Sequence, residues 1–284
     1  MYPTGQFTAT LSTPEIVFAL DHGWVHEIGE YATYRMRRIF YWFVEHFYAL
    51  KQQYERDGDP LRRRLVKLLL NSLYGKFGQA GYEDRLIGTC DPARLEVQYG
   101  MIFPSKRRVT TYMAGGSVIQ QMRTGEGYNS FVAIAAHVTA HARLYLWHLI
   151  ELAGRPHVFY VDTDSLIVDK IGFDNLVDLV DPDRMGALKL EDGASSMEIR
   201  APKDYTFGEH NVTKGIPLSA SLLSPNSFEV ETWPSLRSHI ADGLTDTFHN
   251  RNVVKTLTYS VDWGELQPDG WVTPYHHGIS SLLF

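Results

Sequence analysis

Cysteine is almost missing from this sequence. Cys90 stands alone among 284 residues, so no internal disulfide can staple the fold and a disulfide-built secreted scaffold is excluded. Long apolar runs are missing too. The most apolar stretch, Phe131 to Gly154, is broken by His137, His141, Arg143, His148 and Glu151, which reads as a packed helix rather than a membrane span. No signal-peptide pattern, internal repeat or low-complexity tract is visible. These absences lead to the expectation of a soluble, cytoplasmic protein with no membrane partner.

Positive charge is also in deficit overall, with a net charge of −6. Divided along the chain, the balance changes. Between Arg35 and Lys76 there are ten basic residues against four acidic ones, a local +6, while the remainder holds 17 against 29, or −12. A polyanionic partner responds to the local patch rather than to the total. A solvated helix face would give the same clustering, so charge alone decides nothing.

What is present is ordinary globular material, 44% apolar and 21% charged, enough for one large domain or two smaller ones. GQFTATL and WVHEIGEYATY alternate like strands, with a helix from Ser12-Thr13-Pro14-Glu15 to about Gly23 between them. Ile39, Phe43, Phe47, Leu50 and Tyr54 predict a long helix from about Arg35 to Arg56. Asp57-Gly58-Asp59-Pro60 breaks it, and a second helix runs to about Tyr74 with Leu61, Leu65, Leu68 and Leu69 as its apolar side. The pair should form an antiparallel helical hairpin. RLIGTC, RLEVQYG and KRRVTTYMAGG suggest strands, followed by a helix over about 130–153. HVFYVDTDSLIVD then has two apolar halves around a polar centre, the pattern of a hairpin. GALKLE, SMEIRAPKDYTF and FEVETW suggest further strands.

Two constellations carry chemistry. In Lys67-Leu68-Leu69-Leu70-Asn71-Ser72-Leu73-Tyr74-Gly75, the residues Lys67, Asn71 and Tyr74 fall on one helix face, with Arg63 one turn earlier. Two cations so spaced suit a triphosphate, and an amide and an aromatic suit the sugar and base. In Tyr160-Val161-Asp162-Thr163-Asp164-Ser165 two carboxylates stand close enough to repel, a cost that a divalent cation relieves. An amphipathic helix and an Asp-rich turn are the plainer explanations of each segment taken alone. The apolar residues on both sides of the acids weigh against a decorative turn.

Together the two segments resemble the fingers motif Lys-x-x-x-Asn-Ser-x-Tyr-Gly and the palm hairpin Tyr-x-Asp-Thr-Asp-Ser of the family-B (alpha-type) DNA polymerases. Ala201-Pro202-Lys203-Asp204-Tyr205 is similar to that family's Lys-x-Tyr element, and Lys214-Gly215-Ile216-Pro217 follows. The resemblance looks closest to the compact polymerases of phages, linear plasmids and related mobile elements. It implies an α+β right hand, incomplete here, with an antiparallel palm sheet, two-helix fingers and a C-terminal thumb. The palm would occupy 1–34 and 77–225, the fingers 35–76 and the thumb 226–284, with 79–129 as the place for an insertion.

Carried over by residue, Lys67 grips dNTP phosphates with Arg63 assisting, and Asn71 and Tyr74 line the nascent base pair. Asp164 is the main metal ligand and Asp162 its neighbour, while Lys203, Tyr205 and Lys214 contact the primer strand. The implied cofactor is Mg²⁺ in a two-metal site, and the implied partners are primer–template DNA, dNTPs and, in protein-primed members, a priming protein.

One part of the family pattern is not found. The second catalytic aspartate belongs to an Asp-x-x-Ser-Leu-Tyr-Pro motif before the fingers, and nothing ahead of Arg35 matches it. Met1-Tyr2-Pro3 reads either as the last scrap of that motif or as a later Pro-x-Gly turn, and the strand-like residues that follow at once favour the turn. The expectation is an N-terminally truncated polymerase that is inactive alone. Two alternatives stand beside it. One is a DNA-binding remnant without catalysis; the other is an Asp-x-Asp glycosyltransferase, which leaves the Lys67 helix unexplained. His137 and His141 read as packing residues, His276-His277 as surface, and Ala114-Gly115-Gly116-Ser117 as a turn rather than a phosphate loop.

Overall fold

The computed structural model describes residues 5–243, 250–257, 264–267 and 272–274. Helices and antiparallel sheets are mixed, an α+β architecture. Two compact units are built from interleaved stretches of chain. The first comprises 11–94 and 98–191; the second takes 95–97 and the described residues before 11 and after 191.

In the first unit, α1 (Thr13–Asp21) starts where Glu15 accepts hydrogen bonds from the Ser12 backbone N–H (2.9 Å) and hydroxyl (2.7 Å), with Pro14 in the first turn. α2 (Tyr41–Arg56) and α3 (Pro60–Phe77) form the expected helical hairpin. Gly58, at φ 66°, makes the turn, and the Asp59 carboxylate caps α3 by accepting from the Arg62 N–H at 3.0 Å. Four strands follow, β1 (Ala80–Thr89), β2 (Glu96–Ile102), β3 (Arg107–Ala114) and β4 (Ser117–Glu126), in the order β1-β4-β3-β2. Gly115 and Gly116 both have positive φ between the paired Ala114 and Ser117, the two-residue turn that the right-handed twist of paired strands favours. The helix α4 (Val132–Ala153) then runs into β5 (Val158–Asp162), β6 (Ser165–Val168) and α5 (Lys170–Leu176).

α4 organises this unit. At its N-terminal end the Phe131 N–H donates to the Phe77 carbonyl at 2.9 Å, and a Cβ on Gly78 would lie only 3.2 Å from that of Ala135. At its C-terminal end Leu149 and Ala153 are buried with Leu176, and Val158, Leu166 and Val168 pack against them. The α2–α3 hairpin, through α3, and the acidic hairpin, through β6, thus both pack on the same helix.

The second unit contains β7 (Met197–Ala201), β8 (Asp204–Phe207) and β9 (His210–Thr213) as one sheet. β10 (Ser221–Ser224), β11 (Ser227–Thr232) and β12 (Arg251–Thr256) form another, and α6 (Leu236–Ala241) lies between β11 and β12 in sequence. β13 (Gly264–Leu266) and β14 (Val272–Pro274) pair with each other.

Several expectations are corrected. Neither 5–11 nor 24–34 is a strand, because alternation specifies a face but supplies no partner, and among the described residues no strand pairs with either segment. α1 ends at Asp21, and α2 begins at Tyr41 rather than Arg35. Ahead of α2 the chain is irregular, which lets Tyr34 stack edgewise on Phe131 (5.1 Å) and Phe40 pack on Phe77 (5.2 Å). No strand forms over GALKLE beyond a single bridge between Val180 and Leu188. On α3 the inward stripe is Arg63, Val66, Leu70, Leu73 and Phe77, while Leu61, Leu65, Leu68 and Leu69 are exposed. Stripes 3–4 residues apart could be drawn through either set, and contact with α2 and α4 selects the first. The Met1-Tyr2-Pro3 reading and His276-His277 lie outside the described residues.

Candidate functional site

The acidic hairpin is tight. Asp162 pairs with Ser165 across the two-residue turn Thr163-Asp164. Thr163 has φ 50°, a left-handed conformation that is a genuine outlier for a β-branched residue. Hydrogen bonds hold it there: the Thr163 hydroxyl donates to Asp162 Oδ1 at 3.0 Å, and the Ser165 hydroxyl donates to the Asp162 carbonyl at 3.1 Å. Asp162 is half-buried and Asp164 exposed. The acids sit at the hairpin's tip, in the turn that the polar centre of HVFYVDTDSLIVD predicts, because Val158, Leu166 and Val168 anchor the opposite end on α4.

That anchored end carries a feature the sequence reading missed. Val158 pairs with Val168 but Tyr160 with Ile167, so β5 has one extra residue at Phe159. The shift brings His157 opposite Asp169. Their side chains meet at 2.8 Å (Nδ1 to Oδ2), and the Asp169 N–H donates to the His157 carbonyl at 3.1 Å. Asp169 also caps α5 by accepting from the Gly172 N–H at 2.9 Å. That backbone hydrogen bond, followed by the one from His157, holds the Asp169 carboxyl below the usual carboxylate range. The clue in the sequence was a His and an Asp flanking HVFYVDTDSLIVD; only the bulge makes them meet.

Lys67, Asn71 and Tyr74 lie together on the exposed side of α3. Arg63 does not stand free beside them. It is half-buried, and its Nη2 lies 3.4 Å from Glu55 Oε1, with Lys189 Nζ 3.6 Å from the same oxygen. α3 and the acidic hairpin are connected through α4. Among the described residues, no group of three or more His, Cys, Asp or Glu side chains could hold a metal ion. An oxygen-only pair such as Asp162 and Asp164 suits a hard cation such as Mg²⁺, which keeps water and substrate oxygens as its other ligands. His137 spends its Nδ1 on the Ala133 carbonyl (2.7 Å), and His141 is exposed.

Lys203, Tyr205 and Lys214 belong to the second unit. Lys203 is exposed in the turn between β7 and β8 at φ 64°, Tyr205 is half-buried on β8, and Lys214 is exposed just after β9. Arg200 braces this sheet. Its guanidinium donates to Asp204 (2.9 Å), Thr206 (2.9 Å) and Asn211 (2.7 Å), spanning all three strands, and Asp204 is only 4% exposed. No motif flagged Arg200, because its partners converge only once the register is set.

Comparison with known proteins agrees with the motifs. The family described as "DNA polymerase type B, organellar and viral" matches residues 1–86. A protein of Neurospora intermedia named "Probable DNA polymerase" is 27% identical over 209 residues, 72% of this chain and 20% of its own length. The "DNA-directed DNA polymerase" of Enterobacteria phage PRD1 is 31% identical over 185 residues, 64% of this chain and 31% of its own. A Podospora anserina protein named "Probable DNA polymerase" is 24% identical over 268 residues, 82% of this chain and 22% of its own. The chain therefore spans between a fifth and a third of these relatives, and no solved structure matches it. Among the described residues no helix is long and apolar enough to cross a membrane. The family match, these relatives and the paired motifs agree with one another and make the chain similar to the family-B DNA polymerases of the organellar and viral type.

Proposed function

We propose that this chain supplies the nucleotide-gripping helix and one metal-holding hairpin of template-directed DNA synthesis, in which a primer 3′-hydroxyl attacks the α-phosphate of a dNTP. The observation that carries the reading is the seating of α3 and the Asp162–Asp164 hairpin on the same helix, α4. A rigid shared support is what positioning of a triphosphate relative to a metal site requires. In this reading Lys67 neutralises dNTP phosphate charge, Asn71 and Tyr74 border the base pair, and Lys203, Tyr205 and Lys214 contact primer–template DNA.

Asp162 and Asp164 would hold Mg²⁺, which when bound stabilises charge on the transferring phosphoryl group and the attacking oxygen. Two carboxylates from one hairpin make half a clamp. With no third acid beside them among the described residues, this chain by itself binds DNA without extending it. The right-hand arrangement of palm, fingers and thumb belongs to the same proposal.

The test is a primer-extension assay with Mg²⁺ or Mn²⁺, run with Mn²⁺ titration followed by electron paramagnetic resonance. The expected result is weak Mn²⁺ binding that Asp164→Ala removes, with no extension. Absence of Mn²⁺ binding would remove the metal site from the proposal. Robust extension abolished by Asp164→Ala would show that another acid completes the clamp.

A further inference from the structure

Residues 31–42 read Tyr-Ala-Thr-Tyr-Arg-Met-Arg-Arg-Ile-Phe-Tyr-Trp. The helical periodicity predicted from Arg35 would have wound its three arginines around a cylinder. The structure instead leaves the segment without helix or strand until α2 begins at Tyr41. It is pinned near both ends, by Tyr34 against Phe131 and by Phe40 against Phe77. Between these anchors Met36 is 96% exposed, and on either side of them Tyr31 is 85% and Trp42 69% exposed. No acid occurs between Glu30 and Glu45. None of Arg35, Arg37 and Arg38 makes an ion pair among the described residues, whereas Arg62, Arg63, Arg143 and Arg155 all do.

Unpaired arginines interleaved with exposed rings have a physical cost if left in water, since large apolar side chains gain by burial. An acidic protein surface would satisfy the charges and leave the rings idle. A folded duplex would meet the charges and present no base faces. A single strand offers both phosphates and unstacked bases, and stacking on aromatic side chains combined with a cationic track is how such strands are held without sequence preference.

We propose that Tyr31–Trp42 is a binding track for single-stranded nucleic acid, in which Arg35, Arg37 and Arg38 meet phosphates and Tyr31, Tyr41 and Trp42 stack bases. It deepens the polymerase reading by giving the unpaired strand a contact, but rests on residues separate from Lys67 and the Asp162–Asp164 hairpin.

The test uses the full chain and a dye-labelled oligothymidylate of about 20 nucleotides, with affinity followed by fluorescence anisotropy across salt concentrations. A triple Arg35→Gln, Arg37→Gln, Arg38→Gln variant should lose about 2 from the slope of log affinity against log salt, at roughly 0.7 per phosphate on a single strand. A triple Arg→Lys variant should keep the slope. Tyr31→Ala and Trp42→Ala should each weaken binding roughly five- to a hundredfold, with the slope unchanged. Circular dichroism should be unaltered, since all five side chains are exposed. An unchanged slope in the Gln variant would overturn the proposal. So would Tyr31 and Trp42 variants that bind like the parent, because the surface would then be a general polyanion patch. Failure of the parent chain to bind Mn²⁺ would sink the catalytic reading and leave the anisotropy result untouched, so failure of the catalytic reading and failure of the track are read separately.

Discussion

Arg63 and Glu55 close the α2–α3 hairpin upon itself, with Nη2 to Oε1 at 3.4 Å across the turn between the two helices. Lys189 reaches the same carboxylate from outside the hairpin. Burial raises the Glu55 pKa, but Arg63 and then Lys189 and Lys51 outweigh it, leaving the carboxyl below its ordinary range. The contribution to stability is therefore present at neutral pH and is lost as pH falls through that lowered value. Being partly exposed to solvent screening, the pair contributes no more than about 1 kcal/mol. Glu55→Gln should lower Tm slightly at pH 7 and have no effect well below pH 4, as thermal melts at the two pH values would show.

The same contact separates two cations that the sequence placed together. In a chain that extends a primer, Lys67→Ala should raise the dNTP KM and cut kcat/KM roughly ten- to a hundredfold, from a charge-assisted contact of about 1.5–3 kcal/mol. Arg63→Ala should lower Tm as well, because Arg63 lies in the inward stripe of α3. Steady-state kinetics with thermal melts distinguishes them. Equal loss of DNA affinity in Lys67→Ala, with unchanged dNTP KM, would place Lys67 on the template instead.

The base of the acidic hairpin offers a steric test. A Cβ on Gly172 would lie 3.0 Å from Val168 Cβ and 3.1 Å from both His157 Cβ and the His157 carbonyl. Gly172→Ala should destabilise the chain by about 1–3 kcal/mol, the usual cost of overpacking. The replacement would push His157 away from Asp169. A loss of the His157–Asp169 coupling in imidazole NMR shifts would confirm where the strain goes; an unchanged Tm would show that the site relaxes freely.

Arg200 is expected to matter for the Lys203 turn without touching any ligand. Arg200→Ala removes the guanidinium from Asp204, which is buried, and should cost roughly 2–4 kcal/mol, below the full cost of splitting a wholly buried pair because Arg200 is itself partly exposed. Arg200→Lys should rescue little, since one ammonium cannot span Asp204, Thr206 and Asn211 at once. Urea unfolding of both variants measures the difference.

Local signals in the sequence were enough for the parts of this protein that depend on near neighbours. Asp57 to Pro60 breaks the chain between two helices whatever surrounds it, and Gly115-Gly116 and Thr163-Asp164 make two-residue turns between alternating or apolar runs. The spacing of Lys67, Asn71 and Tyr74 places them on one face of any helix. Tertiary structure decided what depends on a distant partner. Residues 24–34 alternate like a strand but pair with none among the described residues, and Leu61, Leu65, Leu68 and Leu69 form a helical stripe that contact with α2 and α4 left outside. Arg63 pairs across a turn, and His157 meets Asp169 only because one extra residue at Phe159 shifts the register. Periodicity specifies which residues share a face, but which face is buried depends on the surface presented by elements far away in the chain.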